Sequence, residues 1–300
     1  MQRSGLASLR SRPHCHLGRG DFMNIVVGDD DPASRRATEA RFFDEVARRK
    51  TAAQLGPIHP KVIARYRSPG RLWAKELCCR LVGNLTGLHI LDVGCGEGEN
   101  SLLLATLGAK VTGIDISPGA VALAKERAHL SGLSGSTDFI CSPLEQAPLP
   151  EKHFDVIWGD NVLHHVLPVL DDSLRLLARV AKPGAQMLFI EPVNLCPGLR
   201  KLRFLVPVHT EVTPGERPLE RHDLEIVGRH VSQLRRRHFW FLGRVIRFIL
   251  PDYSLEQASF ARRALATSIA AFDALVLSVP KIETLGGVSV LYGRAAAARA

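Results

Sequence analysis

The stretch Leu91-Asp92-Val93-Gly94-Cys95-Gly96-Glu97-Gly98-Glu99-Asn100 constrains this chain more than any other. His89–Val93 reads as a short strand, three glycines follow at alternate positions, and Ser101–Leu107 is helical. A strand that turns over glycines into a helix opens a wound α/β sheet, whose ligands sit beyond the carboxyl ends of the strands. Glycines let the backbone take positive φ and approach a ligand with no Cβ between them. The first amides of the helix point to the same place.

The same alternation continues downstream. Ala109–Asp115 reads as a strand, and Pro118–Leu130 as a helix with Ser117 at its N-cap and Pro118 at its first position. Strands at Asp138–Cys141 and Phe154–Trp158 precede a helix at Val169–Val180, the turn Lys182-Pro183-Gly184 and a strand at Ala185–Ile190. This grammar predicts a parallel sheet wound by right-handed crossovers. Upstream, the segment from Ser34 and the segments Val62–Tyr66 and Arg71–Val82 are helical, forming an N-terminal cap over 34–88. After the core at 89–192, Pro192–Arg217 reads as loop and Leu219–His230 as helix. A strand lies within Val231–Leu242, one or two apolar helices within Gly243–Val279, and a closing strand at Val288–Leu291. The expected fold is α/β, a doubly wound, mostly parallel seven-stranded sheet with N-terminal helices and a helical insertion before the last strand. Residues 193–294 supply the rest of the sheet and the acceptor-covering helices. Residues 1–33 read as a disordered tail or a misassigned start, and 295–300 as a second tail.

Composition narrows the partners. Among 300 residues, 39 Lys+Arg stand against 30 Asp+Glu, a formal charge of +9 that admits nucleic acid, anionic membranes or acidic substrates. The longest apolar stretches are interrupted by Arg244, Arg247 and Asp273, short of the ~18 residues that a spanning helix needs. Phe239-Trp240-Phe241-Leu242, followed by Arg244 and Arg247, is a candidate for peripheral contact with an anionic bilayer. The six cysteines have no zinc-like spacing, so no metal is expected, and reduced thiols of a cytoplasmic protein are the simple reading.

The glycine turn selects its ligand by exclusion. A phosphate-binding P-loop requires Lys-Ser/Thr after the last glycine, where Glu99 and Asn100 stand. The dinucleotide fingerprint requires its third glycine where Glu99 stands, and Glu97 and Glu99 would repel a pyrophosphate. Acidic residues suit S-adenosylmethionine, which carries a sulfonium and an ammonium and no phosphate. Asp115, about twenty residues beyond the turn, can accept from both hydroxyls of a ribose.

With these motifs, Phe154-Asp155-Val156-Ile157, Asn161-Val162-Leu163-His164-His165-Val166 and Lys182-Pro183-Gly184, the segment Leu91–Pro192 resembles the class I S-adenosylmethionine-dependent methyltransferases. The likeness is to the small-molecule type related to ubiquinone and menaquinone biosynthesis. The resemblance implies that Gly94, Cys95 and Gly96, in the turn closed by Gly98, give backbone contacts to the methionine portion. It implies that Asp92 holds the ammonium, directly or through water, and that Asp115 binds the ribose while Ile116 packs on the adenine. Gly159, Asp160 and Asn161 would pass beside the sulfonium. The family's acid after the third strand is replaced by Ser142-Pro143, leaving Ser142 or a backbone carbonyl for the adenine amino group.

Methyl transfer from a sulfonium is an in-line displacement, so the protein mainly aligns the acceptor and excludes water. Where the acceptor must lose a proton, His164 or His165 is the candidate base. Tyr66, His209, Glu211 and His222 are polar candidates in the covering segments. The expected acceptor is a small, hydrophobic molecule of lipid, quinone or natural-product type. Two alternatives remain on the same fold: an RNA methyltransferase, and a non-catalytic binding protein. The loop Gly159-Asp160-Asn161-Val162 lacks the Asn/Asp-Pro-Pro-aromatic motif of base-amine methyltransferases, and no stacking aromatics interleave the basic runs.

Overall fold

The structure is a computed structural model and describes residues 31–196, 198, 216–250 and 254–296. Seven strands, β1 (His89–Val93), β2 (Lys110–Asp115), β3 (Thr137–Cys141), β4 (Phe154–Asp160), β5 (Ala181–Pro192), β6 (Val231–Phe239) and β7 (Val288–Ala295), form one sheet in the order β3-β2-β1-β4-β5-β7-β6. The chain steps outward from β1 to β3, then returns to lay β4 on the other side of β1. That reversal opens the crevice in which α/β sheets hold ligands. β1 to β5 are parallel, and β7 runs antiparallel between β5 and β6.

Helices cover both faces of the sheet. α1 (Pro32–Arg48), α2 (Ala52–Leu55), α3 (Pro60–Arg67) and α4 (Ala74–Val82) precede β1. α5 (Glu99–Thr106), α6 (Pro118–Leu130), α7 (Leu170–Val180) and α8 (Arg221–His230) join strands, and α9 (Ile246–Ile249) and α10 (Phe260–Val276) are inserted before β7. The parallel strands are apolar on both sides because both sides are covered. Leu91, Ile157 and Phe189 pack with Leu174 and Leu177 of α7 on one face, whereas Ile90, Val156 and Leu188 pack with Leu77 and Cys78 of α4 on the other. The expected fold is observed. β5 begins at Ala181 rather than Ala185, running through the Lys182-Pro183-Gly184 segment with a register irregularity against β4.

α1 is the helix that roofs the crevice. Asp31 caps its N-terminus, accepting from the Ala33 and Ser34 amides. Asp44 docks it onto the start of α6 by accepting from Ser117 Oγ (2.5 Å) and the Gly119 amide (2.8 Å). These bonds lay α1 across the opening above the glycine turn.

Candidate active site

A cavity of about 1020 Å³ opens over the carboxyl ends of β1, β2 and β4. Gly94, Gly96, Asp115, Ile116, Ser142 and Asn161 line one half. Arg35, Glu39, His164, His165, Glu216 and Trp240 line the other. No element divides the two.

The turn is held from behind. The Gly94 and Cys95 amides both donate to the Ile114 carbonyl (2.8 and 3.0 Å), and the Gly96 amide donates to Asp115 Oδ2 (2.9 Å). Gly94 has φ +67°, and a Cβ there would stand 2.7 Å from Val162 Cγ2. Gly96 has φ +50° and nothing of the protein within 4 Å of where its Cβ would be, so the backbone is bare toward the cavity. The Gly94 and Cys95 amides are committed to β2; Gly94 still lines the cavity, whereas Cys95 is buried behind the turn, which corrects its expected contact. Gly98, at φ +81°, caps α5 instead of lining the cavity.

Asp115 lies on the cavity wall with both oxygens already accepting, from the Gly96 and Ser117 amides at 2.9 Å each. A carboxylate has about four lone-pair positions, so room remains for two ribose hydroxyls. Burial raises its proton affinity, and the two amides work against that rise. Ile116 and Ser142 stand beside it on the wall. Glu145, which sequence reasoning missed, also lines the cavity, where Arg36 Nη1 donates to it at 2.8 Å.

Asp92 is wholly buried and lies behind the wall, so the expected direct hold on an ammonium is not what the fold offers. Oδ2 accepts from Ser101 Oγ at 2.6 Å, whereas Oδ1 is buried with no hydrogen-bond partner. Burial pushes this carboxyl up to about 7. An orphaned acidic oxygen behind a bare glycine backbone fits a cationic ligand. Asp160 also turns away from the cavity, taking an ion pair from Lys75 Nζ (3.3 Å) and a hydrogen bond from Asn100 Nδ2 (3.3 Å). Asn161 does line it, at φ +60°, with its amide donating to the Ile190 carbonyl. Glu97 and Glu99 are neutralised, by Lys50 and by Arg127 (3.0 Å) respectively, so their repulsion of a phosphate is weaker than bare charges suggest.

Beyond β4 the chain places a polar cluster that spacing could not reveal. Glu191, at the end of β5, accepts from the Val162 and Leu163 amides through Oε1 (2.9 and 2.8 Å) and from His164 Nδ1 through Oε2 (2.7 Å). Glu216 Oε1 stands 3.1 Å from His164 Nε2. Burial alone would lower the His164 pKa, but the hydrogen bonds to Glu191 and Glu216 raise it to about 9. Protonated and held at both nitrogens near neutral pH, His164 presents no lone pair, which corrects its candidacy as a base. His165 lines the cavity with Nδ1 3.1 Å from Glu39 Oε2 on α1 and 3.9 Å from Glu216 Oε2, its ring edge-on to Phe43.

The remaining candidates separate from the site. Tyr66 packs against the core beneath α3, and His222 is exposed on α8. His209 and Glu211 lie outside the described residues, as do residues 1–30 of the expected N-terminal tail. In the aromatic run proposed for a bilayer, Phe239 is buried and Trp240 lines the cavity, leaving Leu242 exposed. No described helix is long and apolar enough to cross a membrane.

Comparison with known proteins gives the same assignment. Residues 91–189 match a methyltransferase domain family. The 27-O-demethylrifamycin SV methyltransferase of Amycolatopsis mediterranei is 34% identical over 121 residues, covering 38% of this chain and 44% of that protein. The ubiquinone biosynthesis O-methyltransferase of Methylocella silvestris is 36% identical over 139 residues, 46% of this chain and 52% of the relative. The ubiquinone/menaquinone C-methyltransferase of Azotobacter vinelandii is 29% identical over 173 residues, 54% and 68% respectively. The match thus spans about half the length of these relatives. The solved geranyl diphosphate C-methyltransferase of Streptomyces coelicolor shares the fold at 12% identity, with a TM-score of 0.54 over 89% of this chain and 99% of that one. The chain therefore carries, over residues 91–189, a class I S-adenosylmethionine-dependent methyltransferase domain of the small-molecule type, with S-adenosylmethionine as its cofactor.

Proposed function

We propose that this protein transfers the methyl group of S-adenosylmethionine to a small acceptor with an apolar body and a polar end. One observation carries the reading: a single undivided cavity joins the Gly96–Asp115 wall to the His165–Glu39–Glu216 cluster. Donor and acceptor would therefore share one space, shielded by α1. When bound, the cofactor supplies a methyl carbon already activated by its sulfonium.

The chain's own residues do the rest. Asp115 accepts from the ribose, and Ile116 and Ser142 face the adenine. The bare backbone at Gly96 lets the methionine portion lie close to the sheet, with Asp92 Oδ1 biasing the region toward positive charge. Val162 and Asn161 border the transfer point, their loop fixed by Glu191. Phe43, Val166 and Trp240 offer apolar walls to the acceptor's body. His165, with two carboxylates around Nδ1, is placed to activate an acceptor hydroxyl. Alignment and exclusion of water supply most of the acceleration for such a displacement.

A lipid-, quinone- or natural-product-like acceptor needs apolar surface for its body and a polar cluster at its reacting end, and the cavity has both. Incubation with methyl-labelled S-adenosylmethionine and fractionated small-molecule, lipid and RNA extracts tests this. Label in a small-molecule or lipid fraction is expected. Label in RNA alone, or none in any fraction although the cofactor binds, would refute the acceptor class or the activity.

A further inference from the structure

The polar cluster at the acceptor end has the composition and spacing of a metal site. His164 Nε2, His165 Nδ1 and a Glu216 carboxylate oxygen all lie within 4.8 Å of one another. His164 Nε2 is 3.1 Å from Glu216 Oε1, and His165 Nδ1 is 3.9 Å from Glu216 Oε2. Donors bound at roughly 2.1 Å to one cation stand about 3.0–3.4 Å apart at octahedral or tetrahedral angles. The three side chains need to close by at most about 1.5 Å to enclose an ion. Glu39 Oε2, 3.1 Å from His165 Nδ1, is a fourth donor atom on the same rim.

Two further observations point to a ligand here. His165 Nδ1 is buried and makes no hydrogen bond of proper geometry, although carboxylates flank it. Glu191 Oε2 holds His164 through Nδ1, aiming Nε2 at Glu216. A carboxylate on the far nitrogen of an imidazole is the recurrent outer support of a metal-bound histidine. The Glu191 carboxylate is itself fixed by two backbone amides, so the orientation is built in.

We propose that His164, His165 and Glu216, bordered by Glu39, bind a divalent transition-metal cation, which displaces the proton of His164 Nε2 to solvent and receives an oxygen of the methyl acceptor. Two imidazoles with carboxylate favour manganese, iron, cobalt or zinc over magnesium and calcium, which prefer oxygen alone. The inference rests on the methyltransferase reading of the cavity and deepens it, because the cation takes over activation of the acceptor. The acceptor's hydroxyl gives its proton to solvent, and the cation stabilises the oxyanion. That oxygen forms the new bond to the methyl carbon as the carbon–sulfur bond breaks, its electron pair passing to sulfur to leave adenosylhomocysteine. The acceptor is thereby specified as a phenol, enol or hydroxyl compound.

The test uses the full chain freed of metal by a chelator and titrated with Co²⁺, whose ligand-field absorption reports its donors. One equivalent per chain with histidine-type bands is expected, together with recovery of metal-dependent labelling. His165→Gln and Glu216→Gln, which each replace a direct ligand, should weaken Co²⁺ binding by more than the roughly 10–100-fold that loss of an outer support such as Glu191 costs. Binding of adenosylhomocysteine to the metal-free variants, followed by calorimetry, should remain and serves as the folding control. Cofactor binding without stoichiometric Co²⁺ uptake would overturn the metal site and leave the methyltransferase reading standing. Co²⁺ binding retained at undiminished affinity in the His165→Gln/Glu216→Gln double variant would overturn it too. Failure of the wild-type chain to bind adenosylhomocysteine would instead remove the reading on which the site rests.

Discussion

Asp92→Asn should stabilise the free protein increasingly as the pH rises. The Asp92 carboxyl is fully buried, and burial lifts it from an ordinary 3.8 to about 7. Between those values the folded chain keeps a proton that the unfolded chain has lost. Unfolding then releases protons, so stability falls with rising pH across this window and levels off above it. At 1.36 kcal/mol per pH unit, the charge costs about 2 kcal/mol at pH 5 and on the order of 4 kcal/mol at pH 8. Asparagine never carries that charge. Its carbonyl can still accept from Ser101 Oγ, while its NH₂ group adds a buried donor at a roughly constant penalty of 1–3 kcal/mol. The informative quantity is therefore the change in the mutant-minus-wild-type difference between the two pH values, roughly 2–3 kcal/mol in favour of the mutant at pH 8. Urea unfolding at pH 5 and pH 8 measures it. A difference that does not vary with pH would show that Asp92 is not a desolvated carboxylate held by the fold.

The same geometry carries three other expected outcomes. Asp115→Ala removes a charged acceptor of the ribose and should weaken cofactor binding by roughly 1.5–3 kcal/mol in calorimetry; unchanged affinity would remove the ribose assignment. Gly94→Ala places a Cβ 2.7 Å from Val162 Cγ2 at φ +67°, and thermal unfolding should show a loss on the order of 1–3 kcal/mol, partly relieved by Val162→Ala. Glu191→Ala leaves the buried His164 imidazolium with one partner fewer and orphans the Val162 and Leu163 amides. It should cost about 3–5 kcal/mol, and a near-neutral melt would mean that this clamp is not structural.

Local signals carried far in this chain. Ser117 and Pro118 placed the start of α6 at the observed residue because cap and first-turn chemistry lie within four residues of each other. The glycine turn and Asp115 were legible for the same reason, being joined by a single strand crossover. The turn's contacts were less legible, since only the fold shows the Gly94 and Cys95 amides spent on Ile114. The acceptor-side cluster could not be read at all from spacing. Glu39, His164, Glu191 and Glu216 meet only because the strand order brings β4 beside β5 and lays α1 over both. Glu191 did leave a trace, as a lone acid after the apolar run Met187–Ile190. His164 looked like a base because its type and position suggest one, and the two carboxylates that engage it come from 27 and 52 residues away.

The central claim is that the crevice above Gly96 and Asp115 admits a cationic nucleoside. Parallel calorimetric titrations of the full chain with S-adenosylmethionine and with NADH address it directly. Saturable one-to-one uptake of the sulfonium compound, with no heat from the dinucleotide, is the predicted outcome; the reverse pattern would contradict it.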